Sequence, residues 1–163
     1  MSSFTSSSKA PPAISHLPNL TLHAAQLGIE ACQSKARSIN VPMNISIVDA
    51  TLYPLAFARM PGAKLTSIDI ANNKAFTAAG HRLPTHMYKE MVWPGGAAYG
   101  IDKSNGGRFM IIGGGLPIQV DGVVVGAIGC STGTPKQDQE VAQAGVDAIL
   151  EYINQQKPVK AKL

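Results

Sequence analysis

The chain has 163 residues, 45% hydrophobic and 15% charged, which suits one globular domain with a buried core. Its net charge of +4 comes from lysines near the two ends: without these four of the 14 basic residues, ten remain against ten acidic residues. We therefore expect no nucleic-acid partner. No apolar run approaches a membrane span, and the N-terminus lacks the apolar stretch of a secretory signal.

Residues 1–18 are predicted to be a disordered arm, because they are rich in serine and proline and poor in hydrophobic residues. Residues 19–156 are then a single domain, and residues 157–163 form a flexible tail. Two cysteines, Cys32 and Cys130, are too few for a disulfide framework or a metal site. We interpret them as small buried residues of a protein in a reducing compartment.

Three long helices are predicted from apolar spacing and from their end signals. The first runs from Thr21 to Ser38 and has one apolar face. The second begins at Thr66 with a capping box and ends at Gly80. The last follows Thr134, with Pro135 in its first turn, and reaches Gln156. A short helix is expected within residues 83–91.

Five strands are predicted from β-branched and alternating apolar segments. Asn44–Asp49 and Pro54–Met60 form a hairpin. Phe109–Ile112, a short middle segment and Val123–Ile128 follow in a stretch that contains many glycines. The order α-β-β-α-α-β-β-β-α predicts an α+β fold with a five-stranded antiparallel sheet and flanking helices.

The glycine triplet Gly113–Gly115 does not predict a nucleotide site, since a dinucleotide fingerprint leads into a helix and here a strand follows. Glycines at this density instead allow the backbone to approach another element or a ligand closely.

Four charged or titratable residues are candidates for catalysis: Asp49, Arg59, Lys74 and His86. One interpretation is an acid/base and anion-binding cluster at the end of the sheet. The alternative is structural, with Asp49 shaping a turn, Asp69 capping a helix, and the two cations pairing with these carboxylates.

Three histidines are further candidates for ligand binding: His23, His81 and His86. Each could equally be an ordinary surface histidine. No two of them have i, i+4 spacing and no acidic residue completes a triad, so no dedicated metal site is predicted.

The loop that carries Trp93 and Tyr99 offers flat apolar surface, either for a pocket wall or for a subunit contact. Ser104 and Asn105 enter the glycine-rich stretch and Cys130 and Ser131 leave it, and all four are candidates for ligand binding. Cys130 could be a nucleophile if a histidine lay near it.

The chain resembles the GlcG/HbpS-like family, described as haem-binding or haem-degrading domains, which includes the C-terminal domain of some corrinoid adenosyltransferases. The resemblance covers residues 20–152. Its motifs are Ile47 to Ala50, Ala58 to Met60, Ser67 to Ala71, Lys74 to Ala78, Ser104 to Gly107, Gly113 to Pro117, Val125 to Gly129, Gln137-Asp138, Val141-Ala142 and Gly145.

The resemblance implies a profilin-like or PAS-like arrangement, homo-oligomers up to octamers, and a site for haem or another small molecule. The sequence departs from the family pattern at Thr51–Pro54, at the two histidines of His81–Met87, and at Cys130–Gly133. These departures could reshape a pocket.

The last three residues, Ala161-Lys162-Leu163, fit the small-basic-Leu form of the peroxisomal signal. We therefore expect an import receptor as a partner and a peroxisomal location, with the cytoplasm as the alternative.

Two functions remain open from the sequence. One is an oligomeric protein that binds haem or a similar flat ligand. The other is a cofactor-independent isomerase, cyclase or hydrolase that acts on a small metabolite, in secondary metabolism within the peroxisome. A non-catalytic scaffold is a third interpretation.

Overall fold

The computed structural model of the chain describes residues 13–157. Four helices and four strands follow one another in the order α1-β1-β2-α2-α3-β3-β4-α4. Their bounds are α1 Leu22–Ser38, β1 Asn44–Asp49, β2 Pro54–Arg59, α2 Ser67–His81, α3 Ser104–Gly107, β3 Gly115–Val120, β4 Val123–Ser131 and α4 Pro135–Gln156. Short 3₁₀ turns at Thr85–Met87, Lys89–Val92 and Ile101–Lys103 lie between α2 and α3.

The four strands form one antiparallel sheet in the order β2-β1-β4-β3. The central strands β1 and β4 pair along their whole common length, from Asn44 opposite Ser131 to Asp49 opposite Gly126. The α+β class is therefore confirmed, and the predicted first hairpin and the bounds of β1 agree with the structure.

The prediction of a fifth strand is wrong, because Phe109–Ile112 is irregular. Side-chain hydroxyls take the backbone groups that a neighbouring strand would have taken: Met110 N donates to Thr77 Oγ1 over 2.8 Å, and Thr85 Oγ1 donates to Ile112 O over 2.7 Å. The Phe109 ring packs edge-on against Tyr88 and His81. This stretch is therefore part of the loop between α3 and β3 and does not belong to the sheet.

Helices α1 and α4 cover one side of the sheet, which we call the aliphatic face. Its isoleucines are fully buried and belong to the largest core cluster: Ile45, Ile47, Ile118, Ile128 and, from α4, Ile149. The two helices approach closely where both carry glycine, since a Cβ on Gly145 would lie 3.1 Å from the carbonyl oxygen of Gly28.

Helix α2 covers the other side, which we call the glycine face. A Cβ on Gly129 would clash with the backbone of Ala71 and Ala75, and a Cβ on Gly115 would lie 2.6 Å from Lys74 O. The glycines of this region therefore let the backbone of α2 rest directly on the strands. Close approach to a helix accounts for the glycine density that the sequence showed at these positions.

The two longest helices begin with side-chain caps. Thr21 Oγ1 accepts from Ala24 N, and Thr134 forms a capping box with Gln137. The capping box predicted at Thr66 is wrong, because Thr66 has helical dihedral angles and makes no side-chain cap. Within residues 13–157, no helix is both long and apolar enough to cross a lipid bilayer.

The predicted arm and tail lie mostly outside the described residues. The structure describes only the end of the arm, which is exposed, and the first residue of the tail. That residue, Lys157, lies 3.0 Å from a carboxylate oxygen of Asp121 in the turn between β3 and β4.

Candidate functional site

A cavity of about 640 Å³ opens between the 3₁₀ turns after α2 and the first two turns of α4. We call it the front pocket. Its surface is mostly apolar, with polar groups at the rim, and its volume is typical of small-molecule sites. The lining residues are His86, Lys89, Ile111, Ile112, Gly113, Pro135, Lys136, Gln139 and Glu140.

Thr85 joins two walls of the front pocket. Its fully buried hydroxyl donates to Ile112 O over 2.7 Å and accepts from Gly115 N over 2.9 Å. The stretch of chain before β3 is thereby fixed to the 3₁₀ turn that carries His86. Gly113 lies at the closest point, where a Cβ would be 3.3 Å from the Cβ of His86.

A buried ion pair supports the third wall, at the start of α4. Lys74 Nζ lies 2.7 Å from Asp138 Oδ2 and donates to Cys130 O over 2.9 Å. The other carboxylate oxygen of Asp138 accepts from Gly133 N over 2.9 Å. The pair thus connects α2, β4 and the first turn of α4, and Gly114 leaves room for the ammonium group.

His86 contributes an imidazole to the wall of the front pocket. Its Nδ1 is buried and has no hydrogen-bond partner among the described residues, which carries a desolvation cost. Because Nδ1 is shielded from solvent, a ligand in the pocket contacts the other ring nitrogen. That atom, Nε2, is not buried and makes no hydrogen bond within residues 13–157.

The charges at the rim are predominantly positive. Lys89 and Lys136 are exposed, and neither forms an ion pair with another residue in 13–157. Glu140 lies 2.6 Å from Lys35, and this hydrogen-bonded cation lowers the pKa of the Glu140 carboxyl. With Glu140 already paired, the rim offers two free ammonium groups to an anionic ligand.

The predicted catalytic cluster does not exist. Asn44 of β1 pairs with Arg59 and Val48 pairs with Pro54, so Asp49 and Arg59 lie at opposite ends of the hairpin. At about 3.3 Å per residue they are about 17 Å apart along the strands. The prediction of one charged cluster at one end of the sheet is therefore wrong.

Asp49 has the structural role that was the alternative. Partial desolvation raises its pKa, but hydrogen bonds from Thr51, Asn19 and Tyr53 outweigh this, so the pKa is lowered overall. Lys74 also has a structural role, although its partner is Asp138 and not Asp49 or Asp69 as expected. Of the four catalytic candidates, His86 alone lines the front pocket.

The predicted histidine ligands occupy three separate places. His23 lies on α1 with its ring edge-on to Tyr152, at 5.2 Å between ring centroids. His81 ends α2, and its Nδ1 lies 2.6 Å from the hydroxyl oxygen of Tyr88. Neither ring lines the front pocket.

The other ligand-binding candidates are also dispersed. Trp93 and Tyr99 are exposed, at 59% and 65% of their surface, and Ser104 and Asn105 lie in α3, which is exposed as well. Cys130 and Ser131 are buried at the end of β4. Burial raises the pKa of the Cys130 thiol well above its ordinary value, and the neighbouring thiol of Cys32 raises it further. A nucleophilic role for Cys130 has no support in this environment.

Sequence reasoning missed Thr85, Lys136 and Gln139, and it treated Asp138 only as part of a family motif. Thr85 and the α4 residues are 50 or so positions apart in the chain, so spacing gives no signal for them. A lysine on the apolar side of α2 was a usable signal, because a buried lysine requires a carboxylate partner. Within 13–157, no three His, Cys, Asp or Glu side chains are placed to share a metal ion.

Comparison with known proteins identifies the family. A family model described as "Haem degrading protein HbpS-like" matches residues 20–147. The chain belongs to the HbpS-like family. The resemblance seen in the sequence motifs is thereby confirmed.

Two relatives show the range of the family. An uncharacterized 15.0 kDa protein encoded between dhaT and dhaS in Citrobacter freundii is 42% identical over 135 residues, 83% of this chain and 95% of that protein. The corrinoid adenosyltransferase PduO of Salmonella typhimurium is 35% identical over 130 residues, 80% of this chain. The match spans 39% of PduO, so this chain corresponds to only part of that protein.

Two crystal structures share the fold. The ORFY protein of Klebsiella pneumoniae superposes with a TM-score of 0.85 and 37% identity, over 87% of this chain and 98% of that one. A PduOC structure in complex with haem superposes with a TM-score of 0.77 and 35% identity, over 80% of this chain and 94% of that one.

Proposed function

We propose that this protein binds a small, mostly apolar anion in the front pocket, and that the ligand is haem or a similar flat molecule. The observation that carries the proposal is the imidazole of His86 in the wall of a mostly apolar cavity, where neither ring nitrogen has a hydrogen-bond partner among the described residues. The haem complex of the related PduOC structure supports haem as the first ligand to test.

The residues of the front pocket fit haem in three respects. Ile111, Ile112 and Pro135 supply apolar surface for a porphyrin. His86 supplies an axial donor of the commonest kind. Lys89 and Lys136 supply ammonium groups for the two propionates at the rim.

When bound, haem supplies a redox-active iron whose reactivity depends on the axial ligand and on the polarity around it. The chain's own contribution is to hold and shield the ligand. The hydrogen bonds of Thr85 and the Lys74–Asp138 ion pair fix the positions of the pocket walls relative to one another. The pocket is therefore formed without a ligand.

Titration with hemin tests the proposal directly. We expect a Soret band in the wild type that is shifted or lost in His86→Ala, while His23→Ala and His81→Ala retain it. Lys89→Gln and Lys136→Gln should weaken hemin binding several-fold and reduce its salt dependence. No spectral change in the wild type, or loss of the band in His23→Ala or His81→Ala instead, would overturn the assignment.

The cofactor-independent enzyme is not our proposal. Its four catalytic candidates lie in a turn, at a strand end, in a buried ion pair and in the front pocket, so no one pocket of the single chain brings them together. A haem-binding protein requires only the last of these.

We also propose that the chain assembles into homo-oligomers. Large apolar side chains are exposed on the single chain, among them Trp93, Tyr99 and Phe57, and burying them would be favourable. Light scattering coupled to size-exclusion chromatography should give a multiple of 17.1 kDa. A single-chain mass at micromolar concentration would contradict this, and Trp93→Ala together with Tyr99→Ala tests whether the loop is the contact.

We propose, finally, a peroxisomal location through Ala161-Lys162-Leu163. A fluorescent protein fused to the N-terminus should be found in peroxisomes in eukaryotic cells. The same fusion lacking the last three residues should be diffuse in the cytoplasm. Identical distributions of the two fusions would remove the proposal without affecting haem binding.

A further inference from the structure

Two smaller cavities, of about 340 Å³ and about 200 Å³, lie beside the turn between β1 and β2. Both are lined by Leu52 and Phe76, so they are two lobes of one depression, which we call the side pocket. None of its lining residues belongs to the front pocket. The first lobe adds Thr51, Tyr53, Pro54 and Arg108; the second adds Thr77, Gly80, His81, Asn105 and Phe109.

Arg108 gives the side pocket its charge. The guanidinium carbon lies 3.9 Å from the centroid of the Phe76 ring. Stacking uses the face of the guanidinium group and leaves its edge N–H donors free. Arg108 forms no ion pair with any residue in 13–157, and the lining contains no Asp or Glu. The pocket therefore has a cation and no anion.

His81 forms part of the wall of the second lobe. Its Nδ1 lies 2.6 Å from the hydroxyl oxygen of Tyr88, so that nitrogen is engaged. The ring is further held edge-on to Phe109, with 4.4 Å between centroids. His81 thus presents a fixed ring to the pocket, and its Nε2 makes no hydrogen bond within residues 13–157.

Two nearby oxygen acceptors are already engaged. Thr77 Oγ1 bonds to Asn73 O and accepts from Met110 N. Asp49, the carboxylate nearest along the chain to the turn, accepts from the backbone N–H groups of Thr51 and Tyr53 and from the side chains of Thr51 and Asn19. The guanidinium group of Arg108 makes no hydrogen bond within residues 13–157, so its N–H groups are available to a ligand.

Leu52 and Phe76 supply the apolar body of the pocket. Leu52 has a positive φ of 73°, an uncommon conformation for a branched side chain, and the turn holds it there through a bond from its N–H to Asp49 O. Its side chain lies against Gly80 of α2, where an added Cβ would be 3.5 Å away, in ordinary contact. The conformation of the turn thus places the Leu52 side chain between the two lobes.

From this arrangement we propose that the side pocket is a second binding site, which takes a small organic carboxylate with a flat apolar or aromatic body. Arg108 binds the carboxylate through its edge N–H groups, and Phe76, Leu52, Phe109 and the His81 ring contact the body. Each lobe is smaller than the front pocket, at about 340 Å³ and about 200 Å³ against about 640 Å³, so we expect a smaller ligand here.

Benzoate is the probe, followed by amide chemical shifts in ¹H–¹⁵N NMR spectra of the full chain. We expect saturable shifts that centre on Leu52, Phe76 and Arg108 and leave Lys136 and Gln139 unchanged. Arg108→Gln should weaken benzoate binding at least tenfold. Arg37→Gln, which removes an exposed arginine of α1, is the matched control and should leave it unchanged.

Two further measurements separate recognition of the carboxylate from binding of the ring and from a loss of the native fold. Benzamide, which has the same ring without the charge, should bind at least tenfold more weakly than benzoate if Arg108 recognises the carboxylate. Spectra of Arg108→Gln without ligand should show the native fold. Equal benzoate affinity in Arg108→Gln and the wild type, shifts centred elsewhere, or no saturation would overturn the proposal.

Discussion

The two faces of the sheet are packed in opposite ways. On the aliphatic face, isoleucines of β1, β3 and β4 interdigitate with α1 and α4. On the glycine face, small residues let the backbone of α2 rest on the strands, and the buried side chains include Lys74, Asn44 and Ser46. Successive side chains of a strand point to opposite faces of the sheet. Each strand can therefore place large apolar residues on one face and small or polar residues on the other.

This difference in packing between the two faces affects where a binding site can form. The aliphatic face is filled by large apolar side chains. The cavity of about 720 Å³ at its edge, between α1 and β2, has no unpaired buried polar atom among its described lining residues. The glycine face buries an ion pair, and two of its polar atoms, Asn44 Oδ1 and Ser46 Oγ, have no partner among the described residues. The side pocket is lined by residues of α2, and the front pocket is lined by the 3₁₀ turns that follow α2 and by the start of α4, where Asp138 binds Lys74.

The largest predicted effect comes from breaking the ion pair of the glycine face. Lys74→Met leaves the Asp138 carboxylate, 4% exposed, without its cation, and should lower the free energy of unfolding by about 3–5 kcal/mol. Lys74→Met combined with Asp138→Leu should recover much of this loss. Urea unfolding measures both, and a loss below about 1 kcal/mol in the single variant would contradict the structural role.

Creating a cavity on the aliphatic face comes next. Ile128 is fully buried, and Ile128→Ala should cost about 3 kcal/mol by the same measurement. Val123→Ala in the same strand is the control, because Val123 is 40% exposed, and we expect it to cost less than about 1 kcal/mol. Similar losses for the two variants would show that burial does not set the stability of this face.

Adding one methyl group to the glycine face should also destabilise the protein. In Gly129→Ala the new Cβ meets the backbone of α2, which cannot rotate away as a side chain can, so we expect a loss of about 2 kcal/mol. Gly80→Ala provides the contrast. Its Cβ would be in ordinary contact with Leu52, and alanine favours a helix by up to about 1 kcal/mol. Equal effects would contradict the direct backbone contact.

The helices of the two faces begin differently, and this predicts a smaller difference. Thr134 caps α4 on the aliphatic face, so Thr134→Ala should cost about 1 kcal/mol. Thr66 makes no cap for α2, and Thr66→Ala should cost almost nothing. Thermal unfolding should separate the two variants, and a larger loss at Thr66 would restore the capping box that the sequence predicted.

The smallest effect is a pH dependence at the end of β1. The pKa of Asp49 is lowered in the folded state, so its stabilisation is present above the ordinary value of 3.8 and is lost as the pH falls through the folded value. The difference in unfolding free energy between the wild type and Asp49→Asn should therefore shrink as the pH falls below 3.8. A constant difference would show that the hydrogen bonds do not depend on the charge.

Local patterns predicted most of the fold. The alternation of Asn44–Asp49, the apolar spacing of α1, and Thr134 followed by Pro135 at the start of α4 are short-range signals, and each predicted its element. Phe109–Ile112 has the composition of a strand, but Thr77 and Thr85 take its backbone groups. A competition with side chains that are distant in sequence cannot be inferred from the composition of four residues.

The candidate site was less predictable because distant segments form it. His86 was a candidate among three histidines, and nothing in its neighbours distinguished it from His23 or His81. The partner of Lys74 lies 64 residues away, at Asp138, beyond any spacing rule. Arg108 carried no signal at all, since its significance comes from Phe76 on α2 and from the lack of a carboxylate around it.

One irregular segment has a role in both pockets. Phe109 lines the side pocket, while Ile111–Gly113 line the front pocket, and two hydroxyl groups instead of a strand ladder hold the segment between them. If a ligand in one pocket displaces this segment, the affinity of the other pocket changes, and thermodynamic linkage makes the factor the same in both directions. The occupancy of each pocket would then depend on the concentrations of both ligands, because the four irregular residues Phe109–Ile112 connect the two sites.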